Sequence, residues 1–328
     1  MKFRHVLATA IALAISATTV SAAEFNLRLH TLVKSPHPYN DMAAYMKKTL
    51  EEKSDGRIAV QIFDSGQLGQ DPAVISELAF GTIDMMISTT SNAAEQVPEY
   101  GIFTMPYLFS GMDGILDKIG PGTKVQEHFE KIYEDRGLGM RLLALGASGT
   151  RNLATTDKPV NTLADLKGMR MRTPPSPMDS ETWSALGMLP VTIAWGELYA
   201  ALQTGVVSAM ESSLPGYSGA KLYEVAPYLA LTQHTLQINH ISISDVTWNK
   251  LPEDLQKLVQ QTAIEANTLG VQKAIQYDSE LVKSLQADHG VKVTHPDTAA
   301  FRAKLEPIQA QLAKKVGLSQ EYELLTAK

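Results

Sequence analysis

The sequence predicts a two-lobed α/β protein with mostly parallel sheets. Three observations carry that reading. The chain has 328 residues, more than one small core organises. Strand-like and helix-like segments alternate in two successive series, the pattern that produces parallel sheets with helices on both faces. The last third holds one helical run too long for a single lobe.

Residues 1–22 read as a secretory signal peptide. Lys2 and Arg4 open it, the apolar run "VLATAIALAI" (6–15) is too short to span a bilayer, and "VSA" (20–22) offers small residues for cleavage before Ala23. The expectation is a soluble exported chain in the bacterial periplasm.

The first series follows. "NLRLH" (26–30) is strand-like, and Met42, Tyr45, Met46 and Leu50 form a helical stripe. "RIAVQIF" (57–63) alternates as a strand. Asp71 then reads as a helix cap, with Pro72 at the first helical position and Gly81 past the end. "IDMMIS" (83–88) has the continuous apolar character of a buried parallel strand. Val125, Phe129 and Ile132 mark another helix, and "GMRLLALG" (139–146) the next strand.

In the second series, strands are expected at 169–173, 189–193 and 207–211. Helices are expected near 178–186 and 196–204, each closed by a glycine, Gly187 and Gly205. Residues 233–243 read as one strand. From Pro252 to about Asp288, Leu255, Leu258, Val259, Thr262, Ala266, Leu269 and Ala274 recur at helical spacing. Such a helix reaches about 54 Å, long enough to run along both lobes, with Gly270 as a place to bend. A short strand (291–294) and helices from about Asp297 finish the chain.

Composition narrows function. The chain has no cysteine, which excludes disulfides and thiolate metal sites. Its formal net charge is −6, and removing residues 1–22 takes away two cations and no anion, so nucleic acid is a poor partner. Enzyme signatures are weak. "DSG" (64–66) has no second copy to share a proton with, "GASG" (146–149) is not a nucleophile elbow, and "GPGTK" (120–124) lacks P-loop spacing. No histidine pair has H-E-x-x-H spacing, and no metal site or cofactor is expected. The balance favours a binding protein over an enzyme.

Positive charge is concentrated in "GMRMRTPPSPM" (168–178). Arg172 falls at the carboxyl end of a strand, where open α/β sheets hold their ligands, and the prolines then lead the chain out of the sheet. Arg151 follows the strand at 139–146. A guanidinium matches a carboxylate with two parallel hydrogen bonds. Equally, both arginines fit as surface ion-pair partners.

Along essentially all of residues 23–328 the sequence resembles the solute-binding proteins of tripartite ATP-independent periplasmic (TRAP) transporters, in the branch that binds carboxylates. The resemblance rests on "GRIAVQIFDSGQLGQD" (56–71), "GTIDMMIS" (81–88), "FTMPYLF" (103–109), "GTRNLATTDKPV" (149–160), "DLKGMRMRTPPSPM" (165–178) and "GELYAALQTGVVSAMES" (196–212). It implies a periplasmic-binding-protein fold with a ligand cleft between the lobes and a long helix bracing both. The boundaries expected are 23–148 with about 237–276 for one lobe, and 149–236 with about 277–328 for the other. It also implies a small organic acid as ligand, the small and large TRAP membrane subunits as partners, and no cofactor.

What the resemblance implies for residues is specific. Arg172 matches the arginine that pairs with the ligand carboxylate, Arg151 a second arginine near it, and Trp195 an aromatic placed against the ligand. Where many relatives read E-N-P, this chain has Glu211, Ser212 and Ser213. Ser212 leaves room for a bulkier ligand or a water, and Glu211 is expected to accept hydrogen bonds from hydroxyls. Further candidates are His37 (ligand contact or helix cap), Gln67, Asp71 (ligand contact or helix cap), Ser91, Asn92, Gln237 and Asn239. These groups favour a sugar acid, a hexuronate or aldonate. A C4-dicarboxylate held by Arg151 and Arg172 is the alternative, then a hydroxy or keto acid. From another class, an exported enzyme with an unrecognised site stays open.

Overall fold

The structure, a computed structural model, describes residues 23–327; the expected signal peptide lies outside them. Nine strands form one continuous mixed sheet: β1 (Phe25–Thr31), β2 (Ile58–Phe63), β3 (Met85–Thr89), β4 (Met140–Thr155), β5 (Arg170–Thr173), β6 (Leu189–Thr192), β7 (Ala209–Ser213), β8 (Tyr228–Ser244) and β9 (Lys292–Thr294). Their order is β2-β1-β3-β8-β4-β7-β5-β6, with β9 beside β8. Five of the pairings are parallel and three antiparallel.

The helices are α1 (Pro38–Lys53), α2 (Asp71–Phe80), α3 (Ile115–Ile119), α4 (Lys124–Asp135), α5 (Pro177–Ala185), α6 (Leu198–Gln203), α7 (Leu214–Gly219), α8 (Asp245–Trp248), α9 (Glu253–His289), α10 (Thr298–Leu305), α11 (Gln309–Lys315) and α12 (Ser319–Thr326). No helix among the described residues is long and apolar enough to cross a membrane.

The antiparallel pairs come from two strands much longer than the sequence pattern suggests. β4 has 16 residues and β8 has 17, and they pair from Met140–Ser244 to Thr155–Tyr228. At one end β8 also pairs with β3, and at the other β4 pairs with β7. The same two strands therefore serve both series. Their register shifts between Ala147 and Thr150 and again between Arg151 and Leu153. Bulges of this kind bend a strand and re-aim its side chains. Arg151 consequently lies inside β4, not beyond a strand's end as expected.

Packing follows the two halves. Leu27, Leu29, Ile58, Val60 and Ile87 are buried against Met42, Met46 and Leu50 of α1. In the second series Met171 of β5 is buried with Leu153, Trp183 and Leu186, and Met210 of β7 with Leu198 and Leu202. The C-terminal helices reach both halves: Phe301 and Leu305 join the group around Trp183, while Leu312 and Leu318 join the group around Phe103 and Phe129.

Helix α9, 37 residues and about 55 Å at 1.5 Å per residue, runs along both. Leu255, Val259 and Ala263 pack under α1, and Leu281, Val282 and Leu285 against the Met210 group. Gly270 serves close approach here. A Cβ at that position would lie 2.5 Å from Sδ of Met42, so the absent side chain lets α1 sit directly on the brace. Asn267, one turn earlier, donates to the Leu145 carbonyl at 2.7 Å and ties α9 to β4.

Candidate functional site

Most of the side chains singled out from sequence converge on a cleft with about 400 Å³ of empty space, its mouth included. One wall comes from the first series: Leu32, Val33 and His37 between β1 and α1, Tyr39 in the first turn of α1, Asp71 at the start of α2, Thr89 at the end of β3, and Ser91 and Asn92 after it. The opposite wall comes from the second: Arg172 and Pro174 at the end of β5, Trp195 after β6, and Ser212 and Gly216 around the β7–α7 junction. Arg151 of β4 and Gln237 of β8 contribute from the shared strands.

Arg170 and Arg172 stand two apart in β5 and so share a face. Arg170 is exposed at the start of the strand, while Met171 and Arg172, further along it, are buried. Arg172 Nε donates to the Ile193 carbonyl at 2.9 Å. Its guanidinium carbon lies 5.7 Å from the centre of the Trp195 ring, within cation–π reach. Among the described residues no carboxylate forms an ion pair with it. Burial lowers its pKa to about 10, the negative Glu211 works against that, and the positive Arg151 adds to it. It stays a cation at neutral pH, buried and without a counterion.

Arg151 is different. Its Nε donates to Oε2 of Glu211, its Nη2 to Oε1 of the same carboxylate at 2.5 Å, and its Nη1 to Oε1 of Gln237 at 2.7 Å. Burial alone would raise the Glu211 pKa. The Arg151 charge and the His234 ring 3.5 Å away overcome it and hold that carboxyl well below the usual range. A second buried acid, Asp179 of α5, is pushed up to about 7 by burial and then by Glu211.

The cavity separates the sequence candidates. Arg172, Arg151, Trp195, Ser212, His37, Asp71, Ser91, Asn92 and Gln237 line it. Three do not. Glu211 is fully buried behind Arg151, paired through both oxygens with that guanidinium, and does not line the cavity. Gln67 is exposed and donates to Asp64 at 3.0 Å. Asn239 is buried and donates to Asn267 of α9 at 3.1 Å.

One local reading changes as well, and one is met. The residue capping α2 is Gln70, without a side-chain cap bond. Asp71 is already helical and turns inward, accepting from His30 Nε2 at 3.1 Å, from Asn92 Nδ2 at 2.8 Å and from Ser88 Oγ. His37 does cap α1, its Nδ1 accepting from the Tyr39 amide at 3.2 Å, and it lines the cavity too.

Some lining groups were not anticipated. Tyr39, two residues past His37 in "SPHPY", accepts at its hydroxyl from Gln237 Nε2 at 3.2 Å. Gly216 leaves room for the Ser212 hydroxyl, since a Cβ there would sit 2.7 Å from its Oγ, and the position lies against the Trp195 ring. At the mouth, Gln70 Oε1 accepts from the Gly196 amide at 3.0 Å and joins the two walls directly. Among the described residues no group of His, Asp and Glu is arranged to hold a metal ion.

Residues 29–315 match the family model for bacterial extracellular solute-binding protein, family 7. A solute-binding protein of Roseobacter denitrificans is 30% identical over 309 residues, spanning 92% of this chain and 91% of its own. A TRAP periplasmic solute-binding protein solved from that organism with bound L-galactonate is similar in structure, with a TM-score of 0.84 at 28% identity, covering 94% of this chain and all of its own. A Pseudomonas putida protein with bound D-glucuronate gives 0.83 at 26%, covering 92% and 97%. A Bordetella bronchispeptica protein, with density interpreted as pantoate, gives 0.84 at 29%, covering 93% and 99%.

Proposed function

The chain belongs to family 7 of the bacterial extracellular solute-binding proteins, the receptors of TRAP transporters, and on that premise we propose that its own ligand is a sugar acid, a hexuronate or aldonate, held through its carboxylate by Arg172. The observation that carries the proposal is the state of Arg172: buried, cationic, lining the cavity and without an acidic partner among the described residues. A carboxylate would complete two charge-assisted hydrogen bonds there, each about 1.5–3 kcal/mol. Trp195 offers a flat apolar surface to the carbon skeleton, and the opposite wall is rich in hydroxyl and amide groups. Bound galactonate and glucuronate in two similar structures support the same class.

The neutralised Arg151 argues against the C4-dicarboxylate alternative, because a two-arginine clamp would need its guanidinium free of Glu211. We place the lobe division at residues 23–148 with about 237–276, and 149–236 with about 277–328. The addition of β3 beside β8 at one end of the β4–β8 pair and of β7 beside β4 at the other supports it, while the C-terminal helices straddle the two. The site residues are Arg172, Arg151, Trp195, Ser212, His37, Asp71, Ser91 and Asn92. The chain works in the periplasm, exported by residues 1–22, and hands its ligand to the small and large membrane subunits; it is a receptor without catalysis.

A thermal-shift panel of hexuronates, aldonates, C4-dicarboxylates, keto acids and neutral sugars tests this. Ligand binding to the folded form stabilises it by about 4 kcal/mol at a thousandfold excess over Kd. Shifts confined to sugar acids support the proposal. A response to neutral sugars alone, or to dicarboxylates above all others, overturns it.

A further inference from the structure

The wall opposite Arg172 carries two buried groups with complementary hydrogen-bonding roles. His37 is 1% exposed, and its Nδ1 is occupied as an acceptor by the Tyr39 amide. A neutral imidazole that accepts at one nitrogen carries its proton on the other. Burial, and then the Arg151 charge, lower the His37 pKa to about 3, so the ring is neutral. Its Nε2 is buried, has no hydrogen-bond partner among the described residues, and belongs to a ring that lines the cavity. It is a donor left for a ligand.

Asp71, also 1% exposed, lines the same cavity. Its side-chain partners are His30, Ser88 and Asn92. None is an arginine or lysine, in contrast to Glu211. The cavity thus presents a lone N–H donor and an acceptor-only carboxylate on one wall.

We propose that His37 and Asp71 together read a hydroxyl group, so that the site accepts hydroxylated monocarboxylates and rejects acids that bring a second carboxylate or a keto oxygen to that wall. The chemistry is selective because only a hydroxyl both accepts from His37 and donates to Asp71. A carboxylate or keto oxygen accepts only. It satisfies His37 and turns lone pairs toward Asp71, and a carboxylate adds like charge. Sites built to hydrogen-bond a hydroxyl reject analogues lacking it strongly, because their buried polar groups are then unpaired. The inference rests on the sugar-acid reading and names the part of the site that decides among acids.

Titration calorimetry on the wild-type protein tests it with matched six-carbon acids: D-gluconate and D-galactonate against the diacids D-glucarate and galactarate, and against 5-keto-D-gluconate. The expectation is at least a hundredfold preference for the preferred aldonate over its diacid and over the keto acid. Asp71→Asn, similar in size, should weaken aldonate binding at least tenfold and shrink the aldonate-to-diacid ratio to tenfold or less. His37→Asn keeps a capping acceptor but is too short to present the donor. It should weaken aldonate and diacid alike and leave their ratio unchanged.

A wild-type diacid or keto-acid affinity within tenfold of the aldonate overturns the inference, whether or not the variants fold. So does an unchanged ratio in a folded Asp71→Asn protein. In both cases tight aldonate binding would leave the Arg172 anchor standing. Binding of no acid at all refutes the sugar-acid reading and this inference with it.

Discussion

Removing the negative charge of Glu211 is expected to destabilise the fold and to redirect the site. In Glu211→Gln the Arg151 guanidinium would keep its Gln237 partner and one amide oxygen, but lose the buried carboxylate that now takes two of its donors. Breaking a buried pair by removing one partner costs about 3–5 kcal/mol, because a charge is left uncompensated. Gln retains an acceptor, which puts the expected loss near the lower end, about 3 kcal/mol. Urea unfolding of the ligand-free protein measures it. The uncompensated Arg151 should also attract anions, so affinity for C4-dicarboxylates should rise relative to sugar acids. A double variant with Met at 151 and Leu at 211 should recover most of the lost stability, since well-packed apolar replacements of buried pairs are often neutral or better. A loss below about 1 kcal/mol, with dicarboxylate binding unchanged, would mean that Glu211 is not the counterion that sets the charge of the cleft.

Other perturbations follow from the same geometry. Gln70→Ala removes the acceptor for the Gly196 amide across the mouth; one hydrogen bond of about 0.5–1.5 kcal/mol should speed ligand release up to about tenfold in stopped-flow displacement, and an unchanged rate would show that the contact plays no part in closure. Gly270→Ala places a Cβ against the Met42 thioether, an overpacking cost of about 1–3 kcal/mol set against a helix-propensity gain of about 1 kcal/mol, so the expected net change runs from about 0 to a loss of about 2 kcal/mol; a higher urea midpoint would refute the close approach. Burial holds His240 down to about 4, so the unfolded chain takes up a proton below about pH 6.5 that the folded chain refuses until about pH 4. Stability should therefore fall as pH drops through that window, by about 3 kcal/mol for this group, and His240→Gln should flatten the slope. Asp179 has the opposite sign: its raised pKa stabilises the fold at low pH, and the contribution is lost as pH rises from about 4 through about 7. Asp179→Asn should remove that slope from unfolding curves taken between pH 4 and 8.

Much of this arrangement is local and therefore readable from sequence. The prolines after Arg172 end β5 at the cleft, so Arg172, near the strand's carboxyl end, is buried there while Arg170, at its start on the same face, stays exposed. Helix α9 is legible because apolar residues recur at helical spacing from Leu255 to Ala274, and Gly290 caps its end. The length of β4 was hidden by Gly146, Ser148 and Gly149: Gly146 is paired within the strand opposite Asn239, and Ser148 and Gly149 fall in the register shift just before β7 joins β4. The Arg151–Glu211 pair joins residues 60 positions apart, and nothing in either segment says that Glu211 faces the arginine and not the ligand. Around α2 the error is one of fine register: Gln70 rather than Asp71 caps the helix, and Gln67, a candidate ligand contact, is exposed and bonded to Asp64 while Gln70 reaches across the mouth. In a loop that turns on Gly66 and Gly69, side-chain direction depends on contacts a local pattern does not encode.

The anchoring role of Arg172 is tested most directly by titrating wild type and Arg172→Ala with D-galactonate and D-glucuronate, with unfolding curves to confirm that both proteins are folded. Loss of two charge-assisted hydrogen bonds, about 3–6 kcal/mol, predicts a weakening of a hundredfold or more. Affinity in Arg172→Ala within tenfold of wild type would contradict the carboxylate anchor and leave Arg172 a structural cation.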